Sequence, residues 1–385
     1  MNRINLISFN YFLNSFFPTI LMCIYFLYDE KARAAEIGIL SSLVIVLLNI
    51  FSSNKRNLIL ASDNKSLIIE TILFRVIFFI PISVLFFIYL LIFDMFSIFN
   101  IFLFIIFFSL WVNEILIVNF EVNKKESFSV RNILLIIIYF ILIQFQIQKN
   151  NNVLEFISFV FIIVLVFPLL KVFSDKKTSI LINLNLIKNE ILSNIFSFSF
   201  ISSFGFLISV FIWRFFLIEI FDKDVAIYYF IIFALASFPG TFINNFLGVT
   251  ILKNQNNLFF KYFTIIFLII LFIIFVINYS YLNFDYIIKE TKINSELIIK
   301  MINISLIGTL FMSLGMYFRS KMFFLKKENI NNLFKADFFY GILISLIVPF
   351  IGIFNSKYLY ISYFVGSFFS FFYYLFILKF HRAIK

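Results

Sequence analysis

The sequence is nearly free of the residues that build metal centres and disulfides. Cys23 is its only cysteine and His381 its only histidine. An intrachain disulfide, a Cys/His metal site and a Cys–His nucleophile pair are therefore excluded. Charged residues make up only 13% of the chain, which also has just 9 glycines and 5 prolines. Neither a metal nor a cofactor is expected.

Apolar residues dominate what is present. They make up 63% of the sequence, and the mean hydropathy is +1.05, whereas soluble domains are about half apolar and a quarter charged. The composition predicts an all-α polytopic membrane protein. The first apolar run, Leu6–Tyr28, is too long for a signal sequence and no small-residue cleavage site follows it, so we expect a retained helix.

The apolar runs are close to 20 residues long, the length that a helix needs to cross ~30 Å of hydrocarbon. They predict about 12 transmembrane helices, an even number that places both termini on one side. The predicted helices are Leu6–Tyr28, Glu36–Phe51, Leu67–Phe93, Ile98–Phe120, Ile133–Ile147, Val153–Phe173, Ile191–Trp213, Ala226–Ile251, Phe259–Tyr279, Leu297–Phe318, Phe338–Ile353 and Tyr358–Phe380.

The longest predicted inner connection, SDKKTSILINLNLIKNE, divides these helices into two sets of six. We predict an N-terminal lobe over residues 1–173, a cytoplasmic linker over 174–190 and a C-terminal lobe over 191–385. Paired lobes are common in transporters, whose substrate sites lie between them. The outer connections are short, which argues against a membrane enzyme such as a glycan polymerase.

Lysine and arginine are distributed unevenly among the predicted connections. With the N-terminus inside, 21 of the 31 fall in inner segments and 9 in outer ones. Since cytoplasmic loops carry the excess of Lys and Arg, both termini are predicted to be cytoplasmic. The same distribution explains the net charge of +11 through contact with anionic membrane lipids, without nucleic acid.

Polar side chains recur inside three of the predicted helices. In lipid such side chains must line a wet cavity or bind a neighbouring helix, and both interpretations stay open. Those of helix 1 are four residues apart and share a face. The candidates for cavity lining are Asn10 and Asn14 in helix 1, Ser199 and Ser202 in helix 7, and Asn244 in helix 8.

Arg75 and Glu114 lie well inside predicted helices and Arg214 at the outer end of one, and a charge at the bilayer centre costs at least ~2.5 kcal/mol. Arg75 and Glu114 lie at similar depth in the adjacent helices 3 and 4. They are interpreted either as an ion pair or as transport residues that include a proton- or sodium-coupling role. Arg214, near the outer end of helix 7, would bind an anion, pair with Glu219 or extend to the membrane surface.

The passage WRFFLIEIFDKDVAIYYFIIFALASFPGTFINNF, which begins at Trp213, resembles the lipid-linked oligosaccharide flippases of the multidrug/oligosaccharidyl-lipid/polysaccharide exporter superfamily. The resemblance is to the O-antigen translocase branch, in which helix 7 ends with an Asp-Arg-like element. Here Arg214 keeps the basic position, while Trp213 replaces the acidic one. NKRNLIL, from Asn54, and KKEN, from Lys326, are similar to basic turns of the same branch.

The resemblance implies a flippase of the bacterial inner membrane. It would move an undecaprenyl-diphosphate-linked oligosaccharide, such as an O-antigen unit, to the outer leaflet by alternating access between the lobes. Arg214 and Arg75 would bind the diphosphate. The expected partners are this glycolipid and membrane lipids, and the expected state is a monomer. The alternative is a cation-coupled small-molecule or drug exporter of the same superfamily, and after it a glycan polymerase.

Overall fold

A computed structural model describes residues 3–50, 66–122, 126–149, 160–162, 164–165, 198–242, 256–283, 295–324 and 330–383. These ranges are almost entirely helical and contain no strand. The helices are α1 (Arg3–Leu27), α2 (Lys31–Ile50), α3 (Ser66–Ile92), α4 (Ile98–Val122), α5 (Glu126–Lys149), α6 (Phe198–Ile220), α7 (Lys223–Phe242), α8 (Asn256–Asn283), α9 (Ser295–Phe324), α10 (Ile330–Ser345), α11 (Ile347–Asn355) and α12 (Ser362–Ala383), with a 3-10 helix at Ser356–Ile361.

Seven helical segments of the described part are long and apolar enough to cross a membrane. This agrees with the predicted all-α polytopic membrane protein, whereas the arrangement in two six-helix lobes stays a prediction. The segments are Phe9–Leu27, Thr71–Ile92, Ile98–Val118, Ser127–Ile147, Lys223–Gly240, Glu296–Arg319 and Lys335–Lys379.

The chain forms two compact units, Met1–Phe211 and Ile212–Lys385, and the boundary between them falls inside α6. The predicted linker, residues 174–190, lies outside the described residues. The predicted lobe boundaries therefore stay a prediction.

Helix α1 is the centre of the first unit, where it packs against α2, α4 and α5. Phe17, in the middle of α1, is fully buried. Its ring centroid lies 5.5 Å from that of Tyr139 in α5 and 5.8 Å from that of Phe161. Phe161 belongs to the short helical stretch 160–162, within the sixth predicted helix. Aromatic packing thus joins this stretch to α1 and α5.

A tight turn joins α1 to α2, and a second tight turn joins α3 to α4. Asp29 and Asp94 follow the preceding helices with φ angles of 63° and 50°. The next N–H groups, on Glu30 and Met95, donate to carbonyls five residues back at 3.0 and 2.9 Å, the pattern of a Schellman helix end. Aspartate is one of the few residues that visit this left-handed conformation with any frequency.

Helix α9 is the centre of the second unit and contacts α7, α8, α10 and α12. Its closest neighbour is α12. A Cβ atom added to Gly315 would lie 2.5 Å from the Ser370 hydroxyl oxygen and 3.1 Å from the Ser370 carbonyl carbon. Small residues that let helix backbones approach are the usual basis of helix packing in membranes.

The sequence predicts one helix over Phe338–Ile353, but the structure has two, α10 and α11, with an interruption at Leu346. Pro349 is the physical reason, because it has no N–H to donate to the Ser345 carbonyl and its ring crowds that carbonyl. Beside the interruption, the Trp213 indole Nε1 donates to the Ile344 carbonyl at 2.7 Å.

Candidate functional site

An ion pair lies inside the helices of the first unit. Arg75 Nη2 of α3 donates to Glu114 Oε2 of α4 at 2.9 Å. The Arg75 side chain is only 1% exposed and that of Glu114 19%. The two residues lie on the two arms of the α3–α4 hairpin, which places them at the same depth. The pairing considered from the sequence is therefore present.

Arg75 also contacts Trp111, one turn before Glu114 on α4, in two ways. The guanidinium Nη1 donates to the Trp111 carbonyl, and the guanidinium carbon lies 4.4 Å from the centre of the indole ring. A buried guanidinium needs such groups because an uncompensated charge in an apolar interior is very costly. Protein groups thus match the charge of Arg75 and its two terminal nitrogens.

Glu114 also connects α4 to α1. The Tyr11 hydroxyl donates to Glu114 Oε1 at 3.1 Å, while Arg75 binds the other carboxylate oxygen. One carboxylate therefore joins three helices, α1, α3 and α4. A change in its charge or position would act on all three.

The predicted polar face of α1 binds neighbouring helices through amide groups. Asn132 Nδ2 of α5 donates to Asn10 Oδ1 at 2.8 Å. Asn113 Nδ2 of α4 donates to Asn14 Oδ1 at 2.9 Å, and Asn14 Nδ2 donates to the Leu110 carbonyl at 3.0 Å. These four asparagines are buried. For Asn10 and Asn14 the structure thus shows helix-to-helix hydrogen bonds.

A pocket of about 170 Å³ lies between α1, α2 and α4. Polar groups, including the carboxylate of Glu114, line it together with aromatic and aliphatic side chains. Arg75 is not among its lining residues. The polar and aromatic lining residues are Tyr11, Asn14, Ser15, Phe107, Trp111 and Glu114. The accessible charge of this pocket is therefore acidic.

No family model, no curated protein and no solved structure matches the chain. The charges and the pocket therefore carry the functional argument.

Arg214 lies on α6 in the second unit. Its guanidinium carbon is 5.5 Å from the centre of the Phe230 ring of α7, and the residue is partly exposed, in contrast to Arg75. Glu219 is exposed nearer the end of α6. The neighbouring Trp213 packs against Gly366, where an added Cβ would lie 3.2 Å from the indole. Trp213 thus packs between α6 and α12.

A second buried ion pair was missed by the sequence reasoning, which placed Arg319 in an inner loop and Asp337 just before a helix. Arg319 of α9 binds both Asp337 oxygens, with Nε at 3.0 and 3.1 Å and Nη2 at 2.6 Å. The Tyr374 hydroxyl of α12 donates to Asp337 Oδ1 at 2.6 Å. Asp337 is 2% exposed. Asp337 of α10 is thus bound by α9 through Arg319 and by α12 through Tyr374.

Three predicted site residues have no described side chain. Ser199 and Ser202 lie in α6, whose backbone is described there, and Asn244 lies outside the described residues. The structure brings together Arg75, Glu114, Asn14 and Asn10, all in the first unit. Sequence reasoning missed their partners Tyr11, Trp111, Asn113 and Asn132.

Proposed function

We propose that the chain is a membrane flippase that moves an undecaprenyl-diphosphate-linked oligosaccharide from the inner to the outer leaflet of a bacterial inner membrane by alternating access. The observation that carries this proposal is the set of charged and amide side chains inside the apolar helices. Polar and charged groups inside membrane helices are expensive and commonly mark transport pathways. The resemblance of the Trp213–Phe246 passage to oligosaccharide flippases supplies the substrate class.

Burial divides the two arginines between different roles. Arg75 is completely buried and bound to Glu114 and Trp111, so we assign it to holding the first unit together. Arg214 is partly exposed and lies beside an aromatic ring. It is our candidate for contact with the diphosphate, because a guanidinium binds phosphate oxygens with two parallel donors.

Replacing Arg214 by Ala is expected to abolish surface glycan while the protein still reaches the membrane, and Arg214→Lys should restore part of it. Surface glycan is measured by gel and staining, and membrane insertion by fractionation. Arg33→Ala is the matched control. Arg33 is exposed on α2, and its ion pair with Glu30 is loose, with 3.8 Å between Arg33 Nε and Glu30 Oε2. Normal glycan in the Arg214→Ala strain would remove Arg214 from the mechanism. Normal glycan after deletion of the whole gene would remove the function.

A cation-coupled small-molecule exporter is the second candidate, and Glu114 is the observation that favours it. The sequence has no acidic residue in the first helix, yet the structure places a carboxylate against Tyr11 of α1 and on the wall of a pocket. An exporter would leave surface glycan unchanged when the gene is deleted, and cells would accumulate a fluorescent dye. Dye accumulation and glycan staining of the same deletion strain decide between the two candidates.

A further inference from the structure

The pocket of the first unit offers more hydrogen-bond acceptors than donors. A carboxylate accepts at about four positions and donates none. Glu114 uses one position on each oxygen, for Tyr11 and for Arg75. One N–H of the Asn14 amide and the Ser15 hydroxyl donate to the carbonyls of Leu110 and Phe12. A ligand that brings donors therefore matches the free positions of the carboxylate, and an anion would face its charge.

The other lining residues suit an apolar chain and a positive charge. Ile45 and Leu48 of α2 and Phe107 of α4 supply apolar surface, and Tyr11 and Trp111 supply aromatic rings. Aromatic faces attract cations. The volume of about 170 Å³ is below the roughly 300 Å³ at which pockets for drug-sized ligands begin. The ligand must be compact.

We propose that this pocket binds a small protonated primary amine, with the ammonium group on Glu114 and the alkyl part against Ile45, Leu48 and Phe107. An ammonium group brings three donors and no acceptor, which matches the free acceptor positions of the carboxylate. Arg75 remains in place, because Trp111 provides it with a carbonyl and a ring in addition to the carboxylate. The proposal concerns binding alone and does not rest on the flippase function.

The test uses the two tryptophans of the chain, Trp111 and Trp213. In the full-length Trp213→Phe variant, purified in detergent, Trp111 on the pocket wall is the only indole. We expect n-propylammonium to change its fluorescence saturably, and at least tenfold more n-propanol or propionate to be needed for the same change. In the Trp111→Phe variant, where Trp213 remains in the second unit, n-propylammonium should have no effect.

Two substitutions in the Trp213→Phe background test the location. Glu114→Gln removes the charge, and Ile45→Phe fills the pocket while the ion pair stays. Each should weaken n-propylammonium binding at least tenfold, and Glu219→Gln, an exposed acid in the second unit, should not. Ile45→Phe decides the question if Glu114→Gln does not fold. Equal or tighter binding of propionate or n-propanol, or unchanged n-propylammonium binding in Ile45→Phe, would overturn the proposal.

Discussion

The Arg75–Glu114 pair is the most consequential feature at the scale of single residues. Removing one partner leaves a buried charge without compensation, which costs roughly 3–5 kcal/mol, whereas removing both is often nearly neutral. Arg75→Met and Glu114→Gln should therefore each lower the free energy of unfolding by about that amount. The double variant should recover most of the loss. Unfolding in detergent with increasing denaturant measures all three.

The pair Arg33–Glu30 on the surface is the control for that cycle. Its atoms are 3.8 Å apart and both side chains are exposed, so its loss should cost less than about 1 kcal/mol. If the double variant Arg75→Met/Glu114→Gln is as unstable as the worse single variant, pairing is not what stabilises the first unit.

Charge pairs in hairpins could be predicted from sequence, and amide pairs could not. Arg75 and Glu114 lie at nearly equal distances along the chain from the Asp94 turn, so they reach the same depth. Arg319 and Asp337 are related in the same way about the KKEN turn. Equal distance from the turn predicts the Arg319–Asp337 pair as well, once the predicted helices are extended into their polar ends. Asn10–Asn132 joins helices that are not sequence neighbours, and identical amides give no charge signal to match.

At the scale of helices, apolar runs located the elements but not their ends. α5 begins at Glu126, seven residues before the predicted Ile133, because backbone hydrogen bonds continue where hydrophobicity stops. Pro349 separates α10 from α11. The apolar run continues across this proline, so hydropathy predicted a single helix. The Trp213–Ile344 contact beside this interruption joins residues far apart in sequence, so no local sequence pattern predicts it.

The close approach of α9 and α12 gives a prediction for the same scale. Gly315→Ala places a Cβ 2.5 Å from the Ser370 hydroxyl and 3.1 Å from its backbone carbonyl carbon. The backbone of Ser370 cannot move aside as easily as a side chain can. We therefore expect a loss of ~1–3 kcal/mol in the free energy of unfolding. The same denaturant titration in detergent measures it.

Gly240→Ala is the matched control for this substitution. Its Cβ would first meet Met312 Cγ, at 3.2 Å, and a methionine side chain can move aside. The Gly315→Ala loss should exceed that of Gly240→Ala clearly. Equal losses would mean that the contact between α9 and α12 does not set the stability of the second unit.

At the scale of the whole molecule, composition was enough to predict a helical membrane protein, because 63% apolar residues admit little else. The arrangement of its parts is a different matter. The boundary between the compact units falls after Phe211, within α6, and the predicted linker at 174–190 lies outside the described residues and stays a prediction. Hydropathy records which segments avoid water, but it does not record which helices pack together. Compact units depend on such packing.

The side on which each terminus lies depends on the sixth predicted helix, Val153–Phe173. If it crosses the membrane, Lys149 lies outside and Lys177 inside, and both termini are cytoplasmic. In a Cys23→Ala background, which removes the only native thiol, we expect Lys149→Cys to react with an impermeant maleimide in intact cells. Lys177→Cys should react only after lysis, with Arg33→Cys as the outer control and Lys124→Cys as the inner one, since both precede the tested segment. Labelling of Lys149→Cys and Lys177→Cys on the same side would mean that this segment does not cross and that the termini lie on opposite sides.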